Sequence, residues 1–449
     1  MPFISPRPLR SAPSAAMACL ALSLGMGVAA AQALDPASAP LDMAAAVRAA
    51  VRTHPGVRNA EQLRLQADEG VSAARSGYLP QVKVGIDTQN TNYENYSYDS
   101  NHVYIAELTV TQVLYDFGKV AGEVDKARAG VRAGQAQLQL SIDQVASATA
   151  QAWVDVHLQQ ALAQIASEQL DGVQRLAALV AERAAKGATT RSDVEQANSR
   201  VDAARSQLLG AEAEVTRARL ALMHLTGRER PAVIAGDPPD WLAGDACRAS
   251  GDDSPSVRLA EARRGQAEGE LRSARAQRLP TLSLQGTLGH ALNDRSRLYG
   301  QYENTTSFGL NFAVPLYQGG GASAREKAAR YQLNAADAAA EQARLETRQD
   351  FSDAQAQAEG WARRAPVLQA RVDSIHATRD LYQQQYLQMG TRSLLDLLNA
   401  EQEFHNARIE QAQGLHEQYR LAVLCLYNSD RLRGAFGLDG TAAAGGDSR

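Results

Sequence analysis

Aromatic residues make up only 5% of the 449-residue chain, and no apolar run approaches the ~20 residues that a membrane-crossing helix needs. A helical membrane protein is therefore excluded. If the chain enters a bilayer, it must do so as a closed β-barrel, the other structure that satisfies every backbone polar group there. Cysteine is scarce, with Cys19 near the N-terminus and only Cys247 and Cys425 beyond it. That count excludes a disulfide-stapled scaffold; Cys247 and Cys425 either pair in an oxidising compartment or stay as free thiols. Long basic runs are absent and the net charge is −4, so no nucleic-acid partner is expected. The histidines show no metal-ligand spacing, and Gly319-Gly320-Gly321 lacks the following Lys-Ser/Thr of a phosphate loop. No catalytic constellation, cofactor or metal is expected, and the chain reads as a non-enzyme.

What is present begins with an export signal over residues 1–33. Arg7 and Arg10 precede an apolar segment at residues 15–28, and Ala31-Gln32-Ala33 forms a small-residue cleavage site. Losing the two arginines takes the net charge from −4 to −6. Cys19 follows Ala-Met-Ala inside the apolar segment, which is a poor lipid-attachment site. The alternative of an uncleaved anchor fails on length.

The remainder repeats itself at an offset of about 200 residues. Pro55, Val57 and Arg58 match Pro255, Val257 and Arg258; Leu79-Pro80 matches Leu279-Pro280; Leu114-Tyr115 matches Leu316-Tyr317. Gly187, Asp193 and Ala197 match Gly390, Asp396 and Ala400. This order implies a tandem duplication: a first unit at 34–227, a linker rich in Pro, Gly and Asp at 228–254, a second unit at 255–430, and a disordered tail at 431–449.

Each unit has one plan. Helix gives way at Pro80 or Pro280 to period-two alternation. Val82, Val84 and Ile86 alternate with polar residues, as do Tyr104, Ala106, Leu108 and Val110, giving a hairpin at 81–114. Leu282, Leu284 and Leu288 alternate with polar residues, as do Phe308, Leu310 and Phe312, giving a second hairpin at 281–314. The strands have the ~10-residue length of tilted transmembrane strands, although a soluble hairpin on a core has the same pattern. Four strands cannot close a transmembrane barrel, which starts at about eight, so barrel formation requires several copies.

Very long helices follow at 119–186 and 322–389, each about 100 Å. Leu138, Ile142, Val145, Thr149, Ala152 and Val156 recur at alternating spacings of four and three, as do Leu368, Val372, Ile375, Arg379, Tyr382, Tyr386 and Met389. Both are coiled-coil seams, with Arg379 the misfit. Pro366 should kink or thin the second helix locally. Bends at Gly187 and Gly390 lead to return helices at 192–227 and 393–428. At the second bend Thr391 and Ser393 can cap, and Leu394, Leu397 and Leu398 open an apolar face with Asp396 on the same turn. Either this bend ends a tube with Asp396 at its mouth, or it is an ordinary hairpin with Asp396 in solvent.

The chain resembles the TolC family of outer-membrane channel-tunnels along nearly all of its length after the signal. The resemblance rests on Phe308-Gly309-Leu310 with Val314-Pro315-Leu316-Tyr317-Gln318-Gly319-Gly320, and on Gly390-Thr391-Arg392-Ser393 with Asp396-Leu397-Leu398 and Ala400. It implies a mixed α/β membrane protein: a homotrimer with a 12-stranded outer-membrane β-barrel continued by a periplasmic α-helical coiled-coil barrel. The implied partners are outer-membrane lipid, an inner-membrane transporter (ABC type favoured), a periplasmic membrane-fusion adaptor and an exported protein or drug, in a Gram-negative bacterium. The junctions around Tyr115 and Tyr317 and the missing lipid site favour toxin or protein secretion over drug efflux, and a periplasmic coiled-coil adaptor is the third reading. The resemblance assigns Asp396 to an acidic constriction, with Arg392 helping to hold the bend. Two departures stand out: the second acidic position is Asn399, and the tyrosine before the glycine is displaced to Tyr386, with Leu387 beside it.

Overall fold

The computed structural model describes residues 40–90, 102–231, 233–242, 246–248, 254–292 and 304–438. The export signal at 1–33, residues 232, 243–245 and 249–253 of the expected linker, and the tail beyond residue 438 lie outside the described residues.

Proline sets two helix starts. Helix α1 (Met43–Thr53) is capped by the Asp42 carboxylate. Helices α2 (Pro55–Arg75) and α5 (Pro255–Ala276) each begin on proline, whose missing N–H costs nothing in a first turn. Between them come strands β1 (Gln81–Asn90) and β2 (His102–Tyr115), the long helix α3 (Lys119–Ala185) and its return helix α4 (Arg191–Thr226). After α5 come β3 (Thr281–Ala291), β4 (Asn304–Ala313), the second long helix α6 (Gly321–Gln384), one π-helical turn (Gln385–Met389), α7 (Leu394–Asn428) and a short α8 (Leu432–Phe436). With 67 residues, α3 is about 100 Å long. Helix α6 runs through Pro366 without interruption and ends five residues before the expected point, where the π-helical turn takes over.

The four strands form one antiparallel sheet in the order β1-β2-β3-β4. Its register puts Val82 opposite Val110, Val110 opposite Gly286, and Gly286 opposite Phe308. One residue along, Lys83, Thr109, Thr287 and Ser307 form a polar row on the other face. A Cβ on Gly286 would come within 3.0 Å of the Phe308 ring, so the glycine makes room for the aromatic across the strand pair. The apolar face is uncovered: Val84 is 80% exposed and Phe308 79%.

Next to the sheet, α2, α3, α5 and α6 lie side by side in that order. Farther away the order is α4, α3, α7, α6. Where the two sets meet, α1, α8 and the described part of the linker wrap the layer. Met43, Val47 and Ala50 pack on Trp153 and Val156 of α3, Leu222 of α4, and Val423 and Leu426 of α7. The Trp153 indole donates to the Leu41 carbonyl at 3.0 Å, and Leu41 bridges Ile234 in parallel. The segment expected to open a disordered tail is instead folded through residue 438. Leu432, Phe436 and Leu438 are buried, and Phe436 meets Trp241 edge-on. Arg433 pairs with the buried Asp143 of α3 and with Asp430, and Arg258 pairs with Asp430 at 2.5 Å. The three apolar side chains supply an anchor that the Gly/Ala-rich composition farther on obscures. Cys247 and Cys425 form a disulfide with a Cα separation of 5.1 Å, fastening the linker to α7.

The seam between α3 and α7 joins the halves of the chain, and much of it is polar. Arg408 pairs with Glu168 at 2.5 Å, and Gln169 donates to Gln402 at 3.0 Å. Arg379, out of place in an apolar repeat, lays its guanidinium 4.4 Å from the Phe404 ring and 3.7 Å from Glu401. Higher up, His157 Nδ1 lies 2.7 Å from His416 Nε2, and His416 Nδ1 lies 2.6 Å from the Ala412 carbonyl. The carbonyl fixes the tautomer: His416 donates through Nδ1, so its Nε2 accepts from His157. Burial lowers both imidazole pKa values; Asp237 opposes this at His157, and at His416 the Ala412 carbonyl opposes it while His157 adds to it. A lowered histidine pKa means that the unfolded chain binds more protons. The pair's contribution is therefore complete above about pH 6.5 and is lost as pH falls through the folded values. Thermal unfolding of the assembled protein should move to lower temperature between pH 7 and pH 5, and His416→Gln should flatten that slope.

Candidate functional site at the helical tip

Both bends lie at the end of the helical layer, roughly 100 Å of α3 away from the sheet. They are built from matching sequence yet close differently. At the first, Gly187 takes φ +71°, where a side chain would be strained. Its N–H bonds Ala184 O, and the Ala188 N–H bonds Arg183 O, both at 2.9 Å, so the end of α3 satisfies its own carbonyls. Helix α4 starts with a reciprocal cap: Asp193 N–H donates to Thr190 Oγ1 and Thr190 N–H to Asp193 Oδ2, both at 3.1 Å. A further bond from the Thr189 hydroxyl, then the Thr190 backbone bond, holds the Asp193 carboxyl below the usual carboxylate range.

At the second bend Gly390 takes φ +63°, and Ser393 caps α7 by accepting from Asp396 N–H at 3.2 Å. The Asp396 carboxylate makes no reciprocal cap. Its nearest partner is Arg392 Nη1 at 3.9 Å, and both side chains are more than 40% exposed. Arg392 reaches back across the bend, with Nε donating to Gln385 Oε1 at 3.0 Å and its guanidinium 4.3 Å from the Tyr382 ring. Asn399 turns elsewhere: its Oδ1 accepts from Arg200 of α4 at 3.4 Å. The structure thus brings Asp396 and Arg392 together and sets Asn399 against the return helix of the other half.

Beneath the polar groups is an apolar plug of Leu176 and Val180 from α3, Ala197 from α4, and Tyr386, Leu394, Leu397 and Leu398. The displaced Tyr386 is buried in it. Arg183 spans from α3 to this plug, donating to Tyr386 O at 3.3 Å and Leu387 O at 3.2 Å. Sequence reading missed Arg183 and Arg200, because each acts across bends about 200 residues apart and no local pattern marks the pairing. The one available signal was the offset itself, which aligns the two bends. Among the described residues, no group of three or more His, Cys, Asp or Glu is placed to hold a metal ion.

Comparison with known proteins fits this architecture. The family model for outer membrane efflux proteins matches residues 46–228 and 250–429. Similar curated proteins include the proteases secretion protein PrtF of Dickeya chrysanthemi, 28% identical over 79% of this chain and 82% of its own length. The outer membrane protein TolC of Escherichia coli is 24% identical over 80% of this chain and 76% of its own. Among solved structures, the outer membrane protein VceC of Vibrio cholerae superimposes with a TM-score of 0.75 at 17% identity, covering 86% of this chain and 95% of that one. CusC superimposes with a TM-score of 0.74 at 19% identity over 86% and 91%.

Proposed function

The chain belongs to the outer membrane efflux protein family, and we propose that three copies of it close into one channel-tunnel across the outer membrane and periplasm. The observation that carries this reading is a shared pair of open sides. The sheet ends in β1 on one side and β4 on the other. The adjoining helices end in α2 and α6, and the tip-ward helices in α4 and α6. One rotation about a common axis therefore closes all three layers at once, pairing the β4 edge with the next copy's β1 edge. Three copies of a four-stranded sheet make twelve strands. The uncovered apolar face then meets lipid, and the row through Lys83, Thr109, Thr287 and Ser307 lines the lumen. The tandem duplication accounts for the two hairpins and two long helices of each copy.

The channel gives passive passage from an inner-membrane transporter and its periplasmic adaptor to the exterior. We read the cargo as protein, carried by type I secretion. PrtF and the alkaline protease secretion protein AprF of Pseudomonas aeruginosa support this through names that state protease secretion. Drug efflux is the second reading, favoured by the likeness to the efflux protein BepC of Brucella suis, 25% identical over 79% of this chain. At the tip, three copies of Asp396 gather where the helices converge and form a cation-attracting mouth. Asn399 adds no charge and is held by Arg200.

Lysine or arginine at Leu108 or Leu310 should cost roughly 2–4 kcal/mol each and block heat-modifiable assembly in outer-membrane fractions. The same charge at Thr109 or Asn311 should assemble normally, and equal effects at both sets would rule out the face assignment. In planar bilayers the wild-type channel should be blocked by multivalent cations from the periplasmic side, and Asp396→Ala should largely abolish that block. Undiminished block in Asp396→Ala would take Asp396 out of the constriction.

A further inference from the structure

The second bend has a problem that the first solves within its own backbone. Where α6 widens into the π-helical turn, the N–H groups of Gly390 and Thr391 both return to Gln385 O. Neither is then available to the carbonyls of Tyr386 and Leu387, which a tighter helix end would have satisfied. Arg183 supplies the missing donor: its Nη1 bonds both carbonyls, at 3.3 and 3.2 Å, and its guanidinium carbon lies 5.0 Å from the centroid of the buried Tyr386 ring. The base of that side chain is fixed, because the Arg183 carbonyl is bonded by Ala188 in the closed first bend. A cation held by one half of the chain therefore closes the helix end of the other half. Gly390 follows that end directly, and Arg392 and Asp396 lie within the next six residues.

We infer that Arg183 is a positioning residue: the cross-half latch that holds the Gly390 bend, and with it Arg392 and Asp396, in the shape that narrows the mouth. This rests on the channel reading for its functional consequence, but the latch itself is a property of one chain. Hydrogen bonds from a charged donor to otherwise unpaired carbonyls are among the stronger ones, so removing them should loosen the bend measurably. The apolar plug should survive, since it is formed by other side chains.

The test compares Arg183→Met, which keeps the apolar stem and deletes the donors, with Arg183→Lys, which keeps a charge and can still donate. Both are made in the full chain and purified as the assembled protein. Amide exchange at Gly390 and Thr391 should rise roughly tenfold or more in Arg183→Met, with exchange at Gly187 and Ala188 unchanged and Arg183→Lys in between. Single-channel conductance should rise at least twofold in Arg183→Met and less in Arg183→Lys. Wild-type exchange at Gly390 in Arg183→Met would overturn the latch. Faster exchange without a change in conductance, in a preparation whose wild type conducts, would also overturn the proposal and leave Arg183 a structural tie alone. If wild type itself forms no channel, the channel reading fails, and the exchange data still decide whether Arg183 holds the bend.

Discussion

A bilayer offers no hydrogen bonds, so the outer edges of β1 and β4 cannot be left unpaired in it. The rest of the architecture is arranged around that constraint. The four-stranded sheet leaves two open edges and an uncovered apolar face, with Val84 80% and Phe308 79% exposed. Closing it against other copies, as proposed above, would solve the edge problem and the exposed-face problem together. Because α2, α4 and α6 end the helical layers on the same two sides as β1 and β4, the proposed closure of the sheet would also complete the helical wall.

Within each copy, the apolar core and the polar seam between the halves lie in different places. The apolar core concentrates where α1, α8 and the linker wrap the long helices, and the disulfide between Cys247 and Cys425 and the Arg433–Asp143 pair fasten that belt. Toward the tip the halves meet through His157–His416, Arg408–Glu168 and Gln169–Gln402. At the tip itself an apolar plug and the Arg183 bonds to the second bend join the halves again.

Much of the fold could be read from residues 40 to 438. The strands were legible because alternation such as Val82, Val84 and Ile86 has only one periodic explanation, and the bends because Gly187 and Gly390 interrupt long seams. The family resemblance drew attention to Asp396 and Arg392, which the bend does bring together. What escaped was nonlocal. The folding of residues 432–436 depends on Trp241 and Asp143, far away in sequence. Arg379 looked like a misfit until Phe404 and Glu401 lay beside it. Whether Cys247 and Cys425 pair depends on how the linker folds back on α7, which no spacing reveals.

The central claim is that three copies close the sheet. Native mass spectrometry of the protein extracted from outer membranes in mild detergent measures that number directly. The account predicts a single assembly of three processed chains that survives removal of the detergent micelle. A dominant single chain, or an assembly of two, would contradict it.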